Sequence, residues 1–186
     1  RQFCEDIQLV HRWQLQSTMT TGLNVWRSIP LQSLYYRSSV MQGAVDRLLE
    51  RRHFDAVYVH LFRMAQFVAD RPRPYRILDL TDAISTEIER ALPYHDPKWR
   101  MIYRLELPRI RRYEREIVRK FNETWLISDA ERAQLLQGKA DDRVIVIPNG
   151  VDTDRFRPSN PTGADNKIIF VGHMGVFHNI DAADYM

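Results

Sequence analysis

The sequence predicts an α/β fold, in which a Rossmann-like parallel sheet carries helices on both faces. Short apolar runs of strand character alternate with segments of helical period along the chain. Such alternation is typical of parallel sheets, whose ligand sites form outside the carboxyl ends of the strands. The 186 residues are 44% hydrophobic, which is enough to bury a core. The single cysteine, Cys4, excludes an internal disulfide framework.

The first half of the chain contains two predicted helix–strand pairs. The stretch "SVMQGAVDRLLERR" (39–52) has apolar residues at helical spacing, and "DAVYV" (55–59) follows as a short strand. "RILDL" (76–80) is the next strand and "AISTEIERAL" (83–92) the next helix. The predicted buried face of the first helix consists of Val40, Met41, Ala44, Val45, Leu48 and Leu49.

A long basic helix is predicted for "KWRMIYRLELPRIRRYEREIVRK" (98–120), and Pro108 should kink it or divide it in two. We interpret it as a surface helix whose arginines are solvated or paired with Glu106, Glu114 and Glu116. The alternative is contact of residues 98–121 with an anionic membrane, where each Lys or Arg contributes about 1 kcal/mol. No nucleic-acid-binding motif accompanies the run, so no nucleic acid is expected. The predicted apolar face comprises Trp99, Ile102, Tyr103, Ile110, Tyr113, Ile117 and Phe121.

Two further strands and one helix are predicted before residue 150. "TWLI" (124–127) is a strand, and Ser128 with Glu131 has the S-x-x-E spacing of a capping box for a helix that ends at Leu136. "RVIVI" (143–147) is the next strand. Pro148 stops it, and Asn149-Gly150 is predicted to form a turn.

A domain boundary is predicted after this turn. Residues 151–166 are rich in Pro, Asp, Asn and Gly, and their apolar residues follow neither helical nor strand spacing. We therefore interpret them as a linker between a domain at 1–150 and a unit at 167–186. "KIIFVG" should be a strand, His173-Met174-Gly175 a turn, and Asn179 the cap of a helix. Backbone N–H groups at such a turn can hold a diphosphate.

Five segments taken together resemble the retaining glycosyltransferases of family 4, which have the two-domain GT-B fold. They are "YVHLFRM", "ILDLTDAIS", "TWLISDAERAQL", "VIPNGVDTDRFRP" and "FVGHMGVFHNIDAADY". Within that family the chain is most similar to sugar transferases of bacterial exopolysaccharide systems. The resemblance implies that 1–150 is an acceptor-side domain without its N-terminal start, and that 167–186 begins a truncated donor-binding domain.

The same resemblance implies the reaction. A sugar would move from a nucleoside-diphosphate sugar to a polysaccharide or lipid-linked acceptor, with retention and without a metal or other cofactor. The enzyme is expected in the cytoplasm or peripherally at the inner face of the membrane, and this chain alone is expected to be inactive.

Site residues follow from the resemblance at matching positions. His60 is expected near the donor sugar as the catalytic residue. Arg63 could face an acceptor phosphate or carboxylate through its planar guanidinium, or be solvated or ion-paired. The acceptor cleft would be lined by Asp79, Asp82, Ser85 and Asn149. A helix cap by Thr81 or Asp82 explains the same residues without acceptor contact; for Asp82 we favour the cap, and Asp79 is left open. The donor-diphosphate loop would comprise Gly172, His173, Met174, Gly175 and Asn179.

Two other functions fit the residues. The turn at Gly172 could open the dinucleotide-binding unit of an oxidoreductase, although it lacks the full G-x-G-x-x-G spacing. The chain could also be a non-catalytic module that binds the acceptor. At the glycine turn the chain departs from the family pattern, because His178 stands where relatives usually have proline.

Overall fold

The computed structural model describes residues 4–11, 14–23, 26, 28–157, 168–175 and 177–186. Four parallel strands form one sheet in the order β1-β2-β3-β4. This α/β, Rossmann-like arrangement confirms the predicted fold class. The strands are β1 (Ala56–His60), β2 (Tyr75–Thr81), β3 (Glu123–Leu126) and β4 (Val144–Val146). The helices are α1 (Gln14–Leu23), α2 (Leu31–Tyr36), α3 (Ser39–Arg51), α4 (Ile84–Ala91), α5 (Pro97–Val118), α6 (Asp129–Leu136) and α7 (Phe177–Tyr185), with short 3₁₀ helices at Phe62–Phe67 and Leu92–Tyr94.

The core lies on one face of this sheet. Alternate residues of the strands point into it, because side chains of a strand alternate between the two faces. The opposite face is more open, and Tyr58 and Tyr75 on it are about half exposed. Burial of each large core side chain contributes about 1.5–3 kcal/mol. The core residues are Val59, Phe62, Ala65, Val68, Ala69, Leu78, Leu80, Ile117, Val118, Phe121, Leu126, Leu135 and Val144.

Helix α3 has the predicted extent but not the whole predicted face. Ser38 caps it by accepting a hydrogen bond from the Met41 N–H. Ala44 is buried, and Val45 and Leu49 pack against the core. Val40 is exposed, because it stands in the first turn, outside the packed part of the helix.

The start of α4 is held by carboxylates from two other helices. We predicted Asp82 as its cap, and this is wrong: the N-cap is Ala83, with no side-chain cap. The Ala83 N–H instead donates to Glu131 Oε2 at 2.9 Å, and the Ser85 N–H donates to Glu114 Oε1 at 3.1 Å. These distant glutamates satisfy donors that a local cap would otherwise take.

The Ser128 cap of α6 is confirmed, since its hydroxyl accepts from the Glu131 N–H at 3.2 Å. The carboxylate of Glu131 contacts α4: it accepts from the Ala83 N–H, and its Oε1 lies 3.4 Å from the guanidinium of Arg90. The residue that forms part of the predicted capping signal of α6 therefore also joins α6 to α4.

Helix α5 is continuous through Pro108, so the predicted division is wrong. The neighbouring Leu107 and Ile110 are buried, and this packing holds the helix together across the missing N–H. Ion pairs to Glu106 and Glu116 are confirmed, with Arg109 and Arg112 as partners at 2.8 and 2.7 Å. The predicted pairing of Glu114 with arginine is wrong, because this buried carboxylate serves α4. The predicted apolar face is buried at Ile110, Ile117 and Phe121 but exposed at Trp99 and Ile102.

The predicted turn at Asn149-Gly150 is not formed. The Ile147 N–H still bonds to the Leu126 carbonyl at 2.8 Å, and the chain stays irregular to residue 152. The turn comes at 153–155 instead, because the Asp152 carboxylate accepts from two following backbone N–H groups. Most of the predicted linker lies outside the described residues.

The stretch at 168–186 keeps the predicted turn and helix but not the strand. Residues 168–172 form no strand, because they pair with no other strand among the described residues. Met174 and Gly175 form the turn. Asn179 is not the predicted cap: α7 begins two residues earlier, and the Asn179 amide donates to the His173 carbonyl at 3.0 Å. The side chain of His178 is outside the described part.

Candidate functional site

The carboxyl ends of β1 and β2 bring His60 and Asp79 together. The parallel register places the two residues opposite each other. His60 Nδ1 lies 3.0 Å from Asp79 Oδ2. Tyr58, two residues before His60 and therefore on the same face, donates its hydroxyl to the same carboxylate oxygen. Two neighbouring strands thus supply a histidine, a tyrosine and a carboxylate in one network.

The second oxygen of Asp79 is also occupied. Oδ1 accepts from the Thr81 N–H at 2.9 Å and lies 3.4 Å from the Thr81 hydroxyl. Burial raises the pKa of Asp79, but the hydrogen bonds from Tyr58, His60 and Thr81 outweigh it and hold the pKa below its usual value. The hydrogen bond to Asp79, with burial and that negative charge, raises the pKa of Tyr58 to about 12. Asp79 is therefore an acceptor and Tyr58 a donor at neutral pH.

This network determines which ring nitrogen of His60 carries a proton in the neutral side chain. A carboxylate can only accept, so Nδ1 of His60 carries the proton that is shared with Asp79. In the neutral ring, Nε2 is then an acceptor. The His60 side chain is 56% exposed and that of Asp79 20%. The exposed ring can meet a ligand hydroxyl while the less exposed carboxylate holds it in place.

Two residues beside the pair have unusual backbone angles. Leu61, directly after His60, has φ 72°, and Thr81, two residues after Asp79, has φ 63°. Positive φ at residues other than glycine costs on the order of 1–3 kcal/mol and clusters at functional sites. The Leu61 N–H donates to the Asp79 carbonyl at 2.8 Å, and the β2–β3 pairing shifts between Asp79 and Thr81. The backbone at the carboxyl ends of β1 and β2 is thus irregular directly beside His60 and Asp79.

Arg63 has a partner that neither sequence interpretation included. Its guanidinium lies over the ring of Tyr36, 4.8 Å from the ring centroid. Gln66 donates to the Arg63 carbonyl and to the Ser33 carbonyl, both at 2.8 Å, and so ties this turn to α2. Arg63 is held beside the end of β1.

The other predicted acceptor-side residues do not join the network. Ser85 is almost fully buried at the start of α4, so its position does not support direct contact with an acceptor. Asp82 is half-buried between β2 and α4. Asn149 is exposed beyond β4, at the other edge of the sheet.

The glycine turn is held by local contacts. The Gly175 N–H donates to His173 Nδ1 at 3.2 Å, so this predicted phosphate donor is already bonded. A Cβ on Gly175 would lie 2.5 Å from the His173 ring, and one on Gly172 would lie 3.1 Å from Asn179 and Phe170. Both glycines stand where a side chain is crowded.

Comparison with known proteins identifies the family. A family model described as Glycosyltransferase Family 4 matches residues 23–155. The chain belongs to glycosyltransferase family 4. No curated protein and no solved structure matches it. The matched segment contains His60, Asp79 and the whole sheet, and it ends before the glycine turn.

Membership of glycosyltransferase family 4 indicates a sugar transferase, with a sugar donor and an acceptor as partners. No group of three or more His, Cys, Asp or Glu side chains is arranged for a metal within the described ranges. In the same part of the chain, no helix is long and apolar enough to cross a membrane.

Sequence reasoning did not include Tyr58, Leu61 and Thr81 among the residues of this candidate site. Tyr58 could have been found, because a residue two positions before His60 in a strand shares its face. Leu61 and Thr81 carry no such signal, since neither residue type favours a positive φ. Their angles follow from how the two strand ends meet.

Proposed function

We propose that the chain is the acceptor-side domain of a retaining transferase. The enzyme moves a sugar from a nucleoside-diphosphate sugar to a polysaccharide or lipid-linked acceptor, as in exopolysaccharide synthesis. The observation that carries this proposal is the His60–Asp79 pair at 3.0 Å, which lies at the carboxyl edge of the sheet inside the family-matched segment. Ligands of open α/β sheets bind at this edge.

In this proposal His60 holds the donor sugar. Its Nε2 accepts a hydrogen bond from a sugar hydroxyl, and Asp79 fixes the ring so that this acceptor is oriented before the sugar arrives. The bond between the anomeric carbon and the diphosphate oxygen breaks, the acceptor oxygen bonds to that carbon on the same face, and the proton of the acceptor hydroxyl passes to the departing diphosphate. The negative charge that develops on the diphosphate needs electrostatic stabilisation, for which no metal or other cofactor is proposed.

Most of that stabilisation would come from a second domain, of which 167–186 is the proposed start. Here the only residues proposed to meet the diphosphate are those of the glycine turn, and the Gly175 N–H is bonded to His173. Exposed backbone donors mostly exchange one hydrogen bond to water for another. We therefore expect no sugar transfer by the 186-residue chain alone.

The same reasoning gives a binding prediction. Titration calorimetry of the 186-residue chain with several nucleotide sugars should show no binding tighter than roughly millimolar, near 4 kcal/mol. Micromolar binding would contradict the two-domain proposal, because the nucleotide would then be held by the acceptor-side domain itself.

The test of the reaction uses the complete gene product and a panel of nucleotide sugars. We expect sugar transfer that His60→Ala lowers by about 100-fold, since loss of a positioning contact has effects of that size. His53→Ala is a matched control, because His53 also lies near an aspartate, Asp55 at 3.9 Å, but is almost fully exposed at the other end of β1. Acceptor binding without transfer would instead favour the non-catalytic module. The family match already favours a transferase over the oxidoreductase.

We also propose a cytoplasmic location with peripheral contact at the inner face of the membrane through residues 98–121. The basic character of this helix supports the contact, because cations are attracted to anionic headgroups. Arg109, Arg111 and Arg112 of this helix are paired with glutamates, however. The membrane contact should therefore involve only the part of the helix whose basic residues are not paired.

A further inference from the structure

The N-terminal half of α5, residues 97–105, exposes apolar side chains. Met101 and Leu105 are one helical turn apart and are 64% and 67% exposed. Ile102, three positions before Leu105, is exposed on the same side. Trp99 is also exposed, but it stands two positions before Met101 and therefore on a different side of the helix, next to Tyr103. A helix on the surface of a globular protein ordinarily has polar residues on its outward side. The outward side of this half is therefore unlike that of a solvated helix.

The same half carries uncompensated positive charge. Residues 97–105 include Lys98, Arg100 and Arg104 and no acidic residue. Arg100 donates to the carbonyls of Pro93 and His95. Lys98 and Arg104 are exposed, and neither forms an ion pair with any residue in the described ranges. Apolar and cationic side chains thus share one surface.

The second half of α5 differs on both counts. Arg109, Arg111 and Arg112 are paired with Glu106, Glu89 and Glu116 at 2.8, 2.5 and 2.7 Å. Its large apolar residues, such as Ile110 and Ile117, are buried. This half is an ordinary surface helix.

The position of the first half follows from the pairing of α4 with α5. Ser85 at the start of α4 meets Glu114, Glu89 meets Arg111, and the His95 ring lies 4.7 Å from that of Tyr103. Each step along α4 away from β2 thus meets an earlier residue of α5. From Glu114 back to Pro97 the helix extends about 25 Å at 1.5 Å per residue. Residues 97–105 therefore project beyond the carboxyl edge of the sheet, where His60 and Asp79 lie.

We propose that residues 97–105, here called the α5 tip, dock on an anionic lipid bilayer. Met101 and Leu105 enter the boundary between headgroups and acyl chains, where amphipathic helices bury their apolar side. Lys98 and Arg104, on either side of them, meet anionic headgroups. Charge complementarity favours this occupant, because residues 97–105 combine exposed apolar side chains with three basic residues and no acidic one, the composition by which amphipathic helices bind anionic lipid.

This inference narrows the membrane contact of the proposed function from 98–121 to the α5 tip. Only the biological role of this contact rests on the proposed function: membrane binding would turn the carboxyl edge of the sheet, with His60 and Asp79, toward a lipid-linked acceptor. Membrane binding itself needs neither donor nor transfer, so it can be measured independently.

The experiment is co-sedimentation of the 186-residue chain with vesicles of phosphatidylglycerol and phosphatidylcholine, or of phosphatidylcholine alone. We expect binding to the anionic vesicles that high salt reverses, because screening weakens exposed charge attraction. Lys98→Glu/Arg104→Glu should weaken it by at least about tenfold. Met101→Gln/Leu105→Gln should also weaken it by at least about tenfold, because the polar amides remove the apolar surface that would enter the bilayer.

The matched control reverses an ion pair in the other half of the same helix. Arg112→Glu/Glu116→Arg keeps the net charge and should bind as the unaltered chain does. Circular dichroism of each variant checks that the helices are intact. Absence of binding, equal binding to neutral vesicles, or equal loss in the control overturns the proposal. Retained binding in a gene product that transfers no sugar would count against the proposed reaction alone.

Discussion

Asp79 and Glu114 are two carboxylates near the carboxyl edge of the sheet, and their surroundings differ. Asp79 lies near the carboxyl end of β2, is partly exposed, and accepts hydrogen bonds on both oxygens from Tyr58, His60 and Thr81. Glu114 lies inside the protein with 0% exposure. Its Oε1 accepts from the Ser85 N–H, whereas its Oε2 has no hydrogen-bond partner among the described residues. The hydrogen bonds lower the pKa of Asp79, whereas burial raises the pKa of Glu114.

This difference distinguishes a carboxylate of the candidate site from a carboxylate that stabilises the fold. Asp79 is charged and holds a histidine that a ligand can reach. Glu114 holds the first turn of α4 and is closed to solvent. Carboxylates at the same edge of a Rossmann-like sheet therefore need to be distinguished by their donors and exposure before either is given a chemical role.

The largest expected effect is on the reaction. Asp79→Asn in the complete gene product should lower turnover by about 100-fold, because an amide can donate to Nδ1 and so favours the wrong histidine tautomer. Turnover with each nucleotide sugar is measured alongside the melting temperature. An unchanged turnover would remove Asp79 from the site.

Glu114→Ala tests the other side of the comparison. It leaves the buried Ser85 N–H without its acceptor, which should lower the free energy of unfolding by about 1–3 kcal/mol. Glu116→Ala, which removes an exposed ion pair of the same helix, should cost less than about 1 kcal/mol. Urea unfolding measures both. Equal costs would show that Glu114 does not hold α4.

The pH dependence of stability should have opposite signs at the two residues. A raised folded-state pKa means that the folded protein binds the Glu114 proton more tightly, so this residue lowers stability as pH rises above its ordinary 4.5. A lowered pKa means that Asp79 stabilises the fold above its ordinary 3.8, and that this is lost as pH falls.

Melting temperatures between about pH 3 and pH 8 measure this difference, because the Asp79 contribution is lost below about 3.8 and the Glu114 effect develops above about 4.5. The gain in melting temperature from Glu114→Gln over the unaltered chain should grow as pH rises, because glutamine cannot ionise. The loss from Asp79→Asn should grow over the first part of the same range. A pH-independent difference for both variants would contradict the assigned pKa directions.

The smallest effect is expected at Tyr58. Tyr58→Phe removes one of the donors to Asp79 but leaves His60 and Thr81 in place, so turnover should fall only a few-fold, for a loss of about 1 kcal/mol. Tyr75→Phe is a control on the same face, since Tyr75 bonds to Glu123 instead. A loss as large as that of Asp79→Asn would make Tyr58 part of the chemistry.

The sequence predicted the helices and strands better than the side-chain contacts between them. Strand and helix period located β1 to β4 and α3 to α6, because burial on a regular element repeats at a fixed spacing. It also singled out His60 and Asp79 as candidate site residues, and both lie at the carboxyl ends of strands. It could not predict that Glu114 and Glu131 replace Asp82 at the start of α4, because these contacts join residues 29 and 48 positions apart.

Two further misses have the same origin. The exposed side of the α5 tip has the same helical spacing as the buried side of the second half, so periodicity could not tell them apart. The apolar run at 168–171 has strand character, but a strand also needs a neighbour, and the sequence pattern does not show one.

The most direct test of the account is a double-mutant cycle on His60 and Asp79, with transfer rates of the complete gene product as the readout. If Asp79 acts by holding His60, removing the carboxylate should cost little once the imidazole is gone. We therefore predict that His60→Ala/Asp79→Asn is about as slow as His60→Ala alone, as for residues that act as a unit. Rate losses that multiply in the double variant would contradict the account, because the two side chains would then act independently.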